Sequence, residues 1–235
     1  MIVRRARGLA GARGAAGTVV VIDVLRAFTT AAFAVARGAV AIELVGTPEE
    51  AFARRRADPS LVLVGEVGGR PIPGFDHGNS PERMERLELA GRTLVLRSSS
   101  GVQGALAALP GADGLLLGSL VTAAATVRVA RALGRDVTLL AMGAGGRDQE
   151  LDGPEDDACA DLLEARLLER PLDPTEILAR AASGPSARAA RDPAAEWISA
   201  GDLERALDLD RFDFALEARL ESGRLVARAI AAGAA

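Results

Sequence analysis

Gly17-Thr18-Val19-Val20-Val21-Ile22-Asp23-Val24-Leu25-Arg26 is the stretch that decides the fold class. Val19 to Ile22 form an unbroken β-branched run, the composition of a buried strand. The reading places a strand over residues 17–25, with Asp23 at or near its carboxyl end. Working outward, residues 29–37 read as a helix ended by Gly38, and residues 40–45 as a second strand. Thr47-Pro48-Glu49-Glu50 is a helix start: a Thr cap, Pro at the first position and acids facing the positive end of the helix. Residues 61–64, 93–96, 115–117 and 137–142 read as further strands. Helices are expected after Ser80-Pro81-Glu82-Arg83, after Ser100 and between the last two strands. Residues 155–169 are amphipathic, with Cys159, Leu162, Leu163 and Leu167 on one side. Strands alternating with helices require crossover connections, so the expectation is an α/β fold with a largely parallel sheet covered by helices. Residues 1–235 read as a single domain. Its C-terminal third, from about residue 180, is rich in Ala and Arg and reads as mainly helical, with Trp197 as a packing residue.

Composition narrows the chemistry. The 235 residues are 49% apolar and carry a formal net charge of -4, with both signs scattered along the chain. No basic stripe suits nucleic acid, and no apolar run approaches the roughly 20 residues that span a bilayer. Arg7, Arg13 and Asp23 interrupt the N-terminal apolar stretches, so no export signal is read and a cytoplasmic location is expected. Cys159 is the only cysteine and His77 the only histidine, and there is no lysine and no tyrosine. A Walker loop and a pyridoxal Schiff base both need lysine. One His and one Cys cannot supply the usual ligands of a structural zinc, and a Ser-His-Asp triad would have to use His77. Asp, Glu, Arg, Ser and backbone amides remain, a set suited to hard cations and phosphate.

Four segments that follow strands carry these groups, and ligands bind beyond the carboxyl ends of strands in such sheets. Asp23, at the end of a buried strand, needs a cation, a salt bridge to Arg26 or a capping role. Glu66 and Arg70 flank Gly68-Gly69, where backbone can approach a ligand and the Arg fork can hold an anion. Ser98-Ser99-Ser100-Gly101 joins a strand to a helix. Ser100 and Gln103 have capping-box spacing, while free amides and hydroxyls at the same turn could cradle phosphate. Gly143-Ala144-Gly145-Gly146 fails the dinucleotide fingerprint because Asp148 stands where the third glycine belongs. Glu155, Asp156 and Asp157 begin a helix, where acids are favoured by the dipole alone. The glycine- and proline-rich loop over residues 65–81 also holds Asp76-His77-Gly78-Asn79-Ser80, with His77 read as a loop hydrogen-bonder.

Together these segments resemble the ComB-type 2-phosphosulfolactate phosphatases. Val20 to Ala27 with Thr29-Thr30 is similar to the opening signature of that family. Gly65 to Arg70 and Gly74 to Pro81 resemble its second block, Leu96 to Gly101 its Thr-Thr-Asn-Gly block, and Gly143 to Asp156 its glycine-then-Glu-Asp block. The resemblance implies a three-layer α/β fold and a magnesium-dependent phosphatase. The named reaction converts 2-phosphosulfolactate to sulfolactate and phosphate, a step toward coenzyme M. It also implies roles: Asp23, Arg26, Glu66 and Arg70 as catalytic residues, with Asp23, Glu66 and Asp76 holding Mg2+. Asn79, Ser98, Ser99, Ser100 and Gly101 would bind a small anionic phospho-acid; a homodimer is among the assemblies that the sequence allows. Water or Asp23 itself would attack phosphorus. Ser98, Ser99 and Ser100 stand in place of Thr, Thr and Asn, Val102 and Gln103 in place of Thr and often Arg, and Thr122 where many members have Asn. The changes at Ser100 and Gln103 support one rival, a non-catalytic phospho-ligand-binding relic of the same fold; a third reading is a Rossmann-type dinucleotide enzyme built on Gly143-Ala144-Gly145.

Overall fold

A computed structural model of the chain describes residues 1–143 and 153–231. Its first half runs β1 (Val3–Arg7), α1 (Gly8–Arg13), β2 (Gly17–Ile22), α2 (Ala27–Ala36), β3 (Ala41–Leu44), α3 (Pro48–Ala57), β4 (Val62–Val67), β5 (Arg70–Pro71), α4 (Pro81–Glu85) and β6 (Thr93–Arg97). There follow α5 (Gly101–Ala108), β7 (Ala112–Gly118), α6 (Ala123–Ala132), β8 (Val137–Ala141), α7 (Pro154–Leu167), α8 (Pro174–Ala181), α9 (Pro185–Arg191), α10 (Ala200–Ala206), β9 (Phe214–Glu221) and β10 (Arg224–Ala231). One mixed, mostly parallel sheet has the order β1-β8-β2-β7-β9-β10-β3-β6-β4-β5. Helices cover both faces, as the alternation of strands and helices predicts.

β2 is buried on both sides, which is why its sequence lacks polar alternation. Val19 and Val21 enter one core with Phe28 of α2, Ile42 of β3, Leu96 of β6 and Val102 of α5. Val20 and Ile22 enter the other with Leu116 of β7, Leu139 of β8 and Leu162 and Leu163 of α7. The helix starts read from sequence hold: Thr47 Oγ1 accepts from Glu50 N at 3.2 Å, and Ser80 Oγ accepts from Arg83 N at 3.2 Å.

The C-terminal third departs from expectation. Helices α9 and α10 are present, but β9 and β10 follow as an antiparallel hairpin in the middle of the sheet, paired with β7 on one side and β3 on the other. Ala, Arg, Glu and Leu there favour helix by intrinsic propensity, and tertiary pairing overrides it. The turn is Ser222-Gly223, with φ of 50° and 76°, and Glu221 is paired with Arg224. Two central residues with positive φ match the right-handed twist of the strands they join.

The hairpin separates two parallel half-sheets, β1-β8-β2-β7 and β3-β6-β4, that run in opposite directions. A flat sheet would put the carboxyl ends of β2 and β6 on opposite edges. They meet instead, for Gly101 N, just beyond β6, donates to Asp23 Oδ2, just beyond β2, at 2.8 Å. The strands are five ladder steps apart, and twist of roughly 20–25° per step accumulates to about 100–125°. Coiling of the sheet brings the two sets of loops together.

Candidate active site

Asp23 leaves β2 with both carboxylate oxygens engaged: Oδ1 accepts from Ala27 N at 2.9 Å and Oδ2 from Gly101 N at 2.8 Å. A β-carbon on residue 101 would lie 2.5 Å from Asp23 Oδ2, so only glycine lets the carboxylate seat there. Glu66, near the end of β4, accepts from Gly69 N at 2.6 Å through Oε2 and from Ser99 N at 2.5 Å through Oε1. It thereby ties the β4–β5 turn to the start of α5. Both acids are buried, Asp23 at 5% and Glu66 at 7% exposure, yet both face one cavity of about 570 Å³. That volume falls within the usual range for small-molecule sites.

Of the residues expected at the site, Asp23, Arg26, Glu66, Asn79, Ser99 and Ser100 line this cavity. Asn79 is buried, and its Oδ1 has no hydrogen-bond partner among the described residues. Arg26 is engaged by the protein: Nη1 donates to the carbonyl oxygen of Trp197 at 2.5 Å and to Asp202 Oδ2 at 3.4 Å, and Nη2 to the carbonyl of Gly69 at 3.0 Å. Its role in the structure is a clamp that forms one wall. Burial pulls the guanidinium pKa down, opposed by Asp202 and Glu66, and arginine keeps its charge regardless.

Four expected residues lie elsewhere. Arg70 is exposed on β5. Gly101 lies beneath Asp23, and Ser98 is a cap, its Oγ accepting from Val102 N at 2.9 Å. The capping box read for Ser100 and Gln103 is therefore absent: Ser100 Oγ donates to the carbonyl of Gly143 at 2.8 Å, and Gln103 Nε2 donates to the carbonyls of Gly46 and Ser98. The amides expected to cradle phosphate are partly consumed, since Ser99 N and Gly101 N serve Glu66 and Asp23. Asp76 accepts from Leu63 N at 2.7 Å, pairs with Arg55 and lines a second cavity. The three carboxylates Asp23, Glu66 and Asp76 do not converge. His77 accepts a hydrogen bond from Arg83 Nε at 2.9 Å, the loop role expected of it. Asp157 pairs with Arg7. Ala144, Gly145, Gly146 and Asp148 lie outside the described residues.

The cavity also holds residues that the sequence reading did not assign to the site: Arg97, Gln103, Ser186 and Trp197. Arg97 ends β6, so the strand-end rule could have found it; its Nη1 donates to Ser99 Oγ at 3.0 Å and to the carbonyl of Glu66. Ser186 and Trp197 come from the region around α9 and α10, where no local pattern announces them. Trp197 also packs against Ile198 and its neighbours, the role read from sequence.

Acidic charge is concentrated behind the cavity. Asp156 Oδ1 accepts from Val24 N at 2.7 Å and Oδ2 from Gly143 N at 2.8 Å. Burial, reinforced by Asp23 and Glu155, holds its carboxyl well above the ordinary range. Burial likewise raises Glu155, with Asp23 adding to it. Asp23 is raised to about 6, first by burial and then by Glu66, against the amides of Ala27 and Gly101 and the charge of Arg26. Four buried acids thus accompany two arginines, a balance hostile to an anionic ligand unless a cation or protons offset it. Among the described residues no three His, Cys, Asp or Glu side chains gather around one metal position. Asp23 and Glu66 are the two carboxylates that line the cavity, and a hard cation of the sparsely held kind needs one or two, with water completing its shell.

Pinned carboxylates and arginines around one cavity of a helix-covered sheet define an α/β protein with a buried, charged pocket of small-molecule size. The chain belongs to the 2-phosphosulpholactate phosphatase family, which it matches over residues 8–209. A protein of Carboxydothermus hydrogenoformans named "Probable 2-phosphosulfolactate phosphatase" is 35% identical over 228 residues, 88% of this chain and 89% of that protein. Proteins of the same name from Deinococcus radiodurans and Thermus thermophilus are 41% and 42% identical, over 54% and 55% of this chain. The chain matches about half the length of these two relatives, 53% and 54% respectively. No helix among the described residues is long and apolar enough to cross a membrane.

Proposed function

We propose that this chain is a magnesium-dependent phosphatase that hydrolyses 2-phosphosulfolactate, or a close small phospho-acid, to the hydroxy acid and phosphate. The observation that carries the reading is that Asp23 and Glu66, each held by two backbone amides, share one cavity with Arg26 and Arg97. Fixed dipoles and charges that need no rearrangement are the largest source of stabilisation for a developing phosphoryl charge. Magnesium, held by Asp23 and Glu66, would supply neutralisation of the phosphoryl oxygens and offset the surrounding acids. Arg97 would face the phosphate with the Ser99 and Ser100 hydroxyls. Asn79, buried and with its Oδ1 unpartnered among the described residues, would accept a hydrogen bond there from a water or a protonated oxygen of the bound substrate.

The test is release of inorganic phosphate from 2-phosphosulfolactate, with magnesium and after chelation. Turnover that appears with the cation and vanishes with the chelator is expected. Saturable binding without release under saturating magnesium would instead establish a phospho-ligand-binding protein.

A further inference from the structure

Two cavities meet at Trp197. It lines both the 570 Å³ cavity that holds Asp23 and Glu66 and a neighbouring one of about 680 Å³. Arg26 lines both as well, with its guanidinium carbon 5.3 Å from the centroid of the Trp197 ring. The residue is held from several directions. Arg26 Nη1 donates to the Trp197 carbonyl at 2.5 Å. The β4–β5 turn abuts the ring, since a β-carbon on Gly69 would lie 3.1 Å from Trp197 Cε3. The following residues are fixed too: Ile198 is buried, and Ser199 and Asp202 form a capping box on α10. Asp202 also binds Ser80 Oγ at 2.6 Å and Arg26. The half-buried ring is the partition between the two cavities.

We propose that Trp197 is a specificity-determining residue, whose indole closes the substrate cavity and limits the non-phosphate end of the ester to a small acid. This rests on the phosphatase reading and deepens it. Beyond the partition, Ile72, Phe75 and Leu87 provide apolar surface and Arg83 and Arg86 provide charge. An ester with a bulky aromatic group would find room there once the indole is removed.

The experiment compares kcat/KM for 2-phosphosulfolactate and 1-naphthyl phosphate in the magnesium-loaded full chain and its W197A and W197F variants. Removing a pocket wall shifts discrimination by about 10-fold or more. The ratio of naphthyl ester to small acid is therefore expected to rise about 10-fold or more in W197A, with W197F between. A ratio within about 2-fold of the native value in both folded variants overturns the proposal. Because Trp197 is the only tryptophan and the chain has no tyrosine, its emission reads the cavity directly. Titration of the native protein with inorganic phosphate should give a saturable change, and this holds even if a variant fails to fold. Saturable emission without phosphate release from any ester removes the phosphatase reading and leaves the partition standing as a wall of a binding site. Phosphate release with flat emission and unaltered selectivity removes the partition and leaves the phosphatase.

Discussion

Asp23 is pinned at both oxygens and stripped of most of its water, so its carboxylate is oriented before any ligand arrives. Asp23→Asn keeps the shape but loses the charge and turns a donor toward one of two amides. A fall in kcat of about 10²–10³ with the fold retained is expected, the size seen when one preorganised stabilising group is removed. Native turnover in the variant would show that the site lies elsewhere. The buried acids also make a pH prediction for the metal-free protein. Asp23 titrates near 3.8 when unfolded and about 6 in the fold. Between these values the folded state holds more protons than the unfolded one, so stability falls as pH rises. The contribution is fully present below the lower value and lost above the upper, with a slope of at most about 1.4 kcal/mol per pH unit for each proton. Asp23 is faced by Glu66, Asp156, Glu155 and Arg26. Asp156 is itself held well above the ordinary range, so it too keeps its proton in the fold and releases it on unfolding; Asp156→Asn removes that contribution, so the fall of urea midpoints with pH should flatten in the variant. An unchanged slope would mean that these acids do not govern it.

At the level of elements, the hairpin turn is the sharpest test. Gly223 has φ of 76°, a conformation that costs an L-residue about 1–2 kcal/mol. Gly223→Ala should lower stability by about that amount in denaturant melts, and a neutral result would deny the turn its geometry. The same turn shows what a sequence can and cannot reveal. β2 was legible because a strand buried on both faces must be apolar throughout, and α3 because a Thr-Pro-Glu-Glu start satisfies its own amides. β9 and β10 were not, because Ala, Arg and Leu serve either structure and their strand form depends on partners at β7 and β3. Ser222-Gly223 was the one local signal available. At the site, Asp23 and Glu66 were visible as acids at strand ends. Asp76 lies apart from them because its partners, Leu63 N and Arg55, are fixed by the folding of the loop rather than by its motif. Trp197 was invisible as a site residue because its tie to Arg26 spans 171 positions.

For the molecule as a whole, the two half-sheets run in opposite directions, and among the described residues the hairpin alone joins them edge to edge. The active cavity draws on both, with Asp23 from one and Glu66 from the other. Unfolding is therefore expected to be cooperative, with one calorimetric transition whose midpoint coincides with loss of the proposed phosphatase activity. Two resolved transitions would mean that each half-sheet is stable alone.

The central position of β9 and β10 has a consequence for synthesis in the cell. Every strand that flanks the hairpin leaves the ribosome before the hairpin is made, so the nascent chain carries two unsatisfied strand edges until residues 214–231 emerge. Long-range pairing of this kind is slow, and bare edges invite association with other chains. Holdase chaperones are expected to matter for the yield of this protein during translation more than for the finished fold.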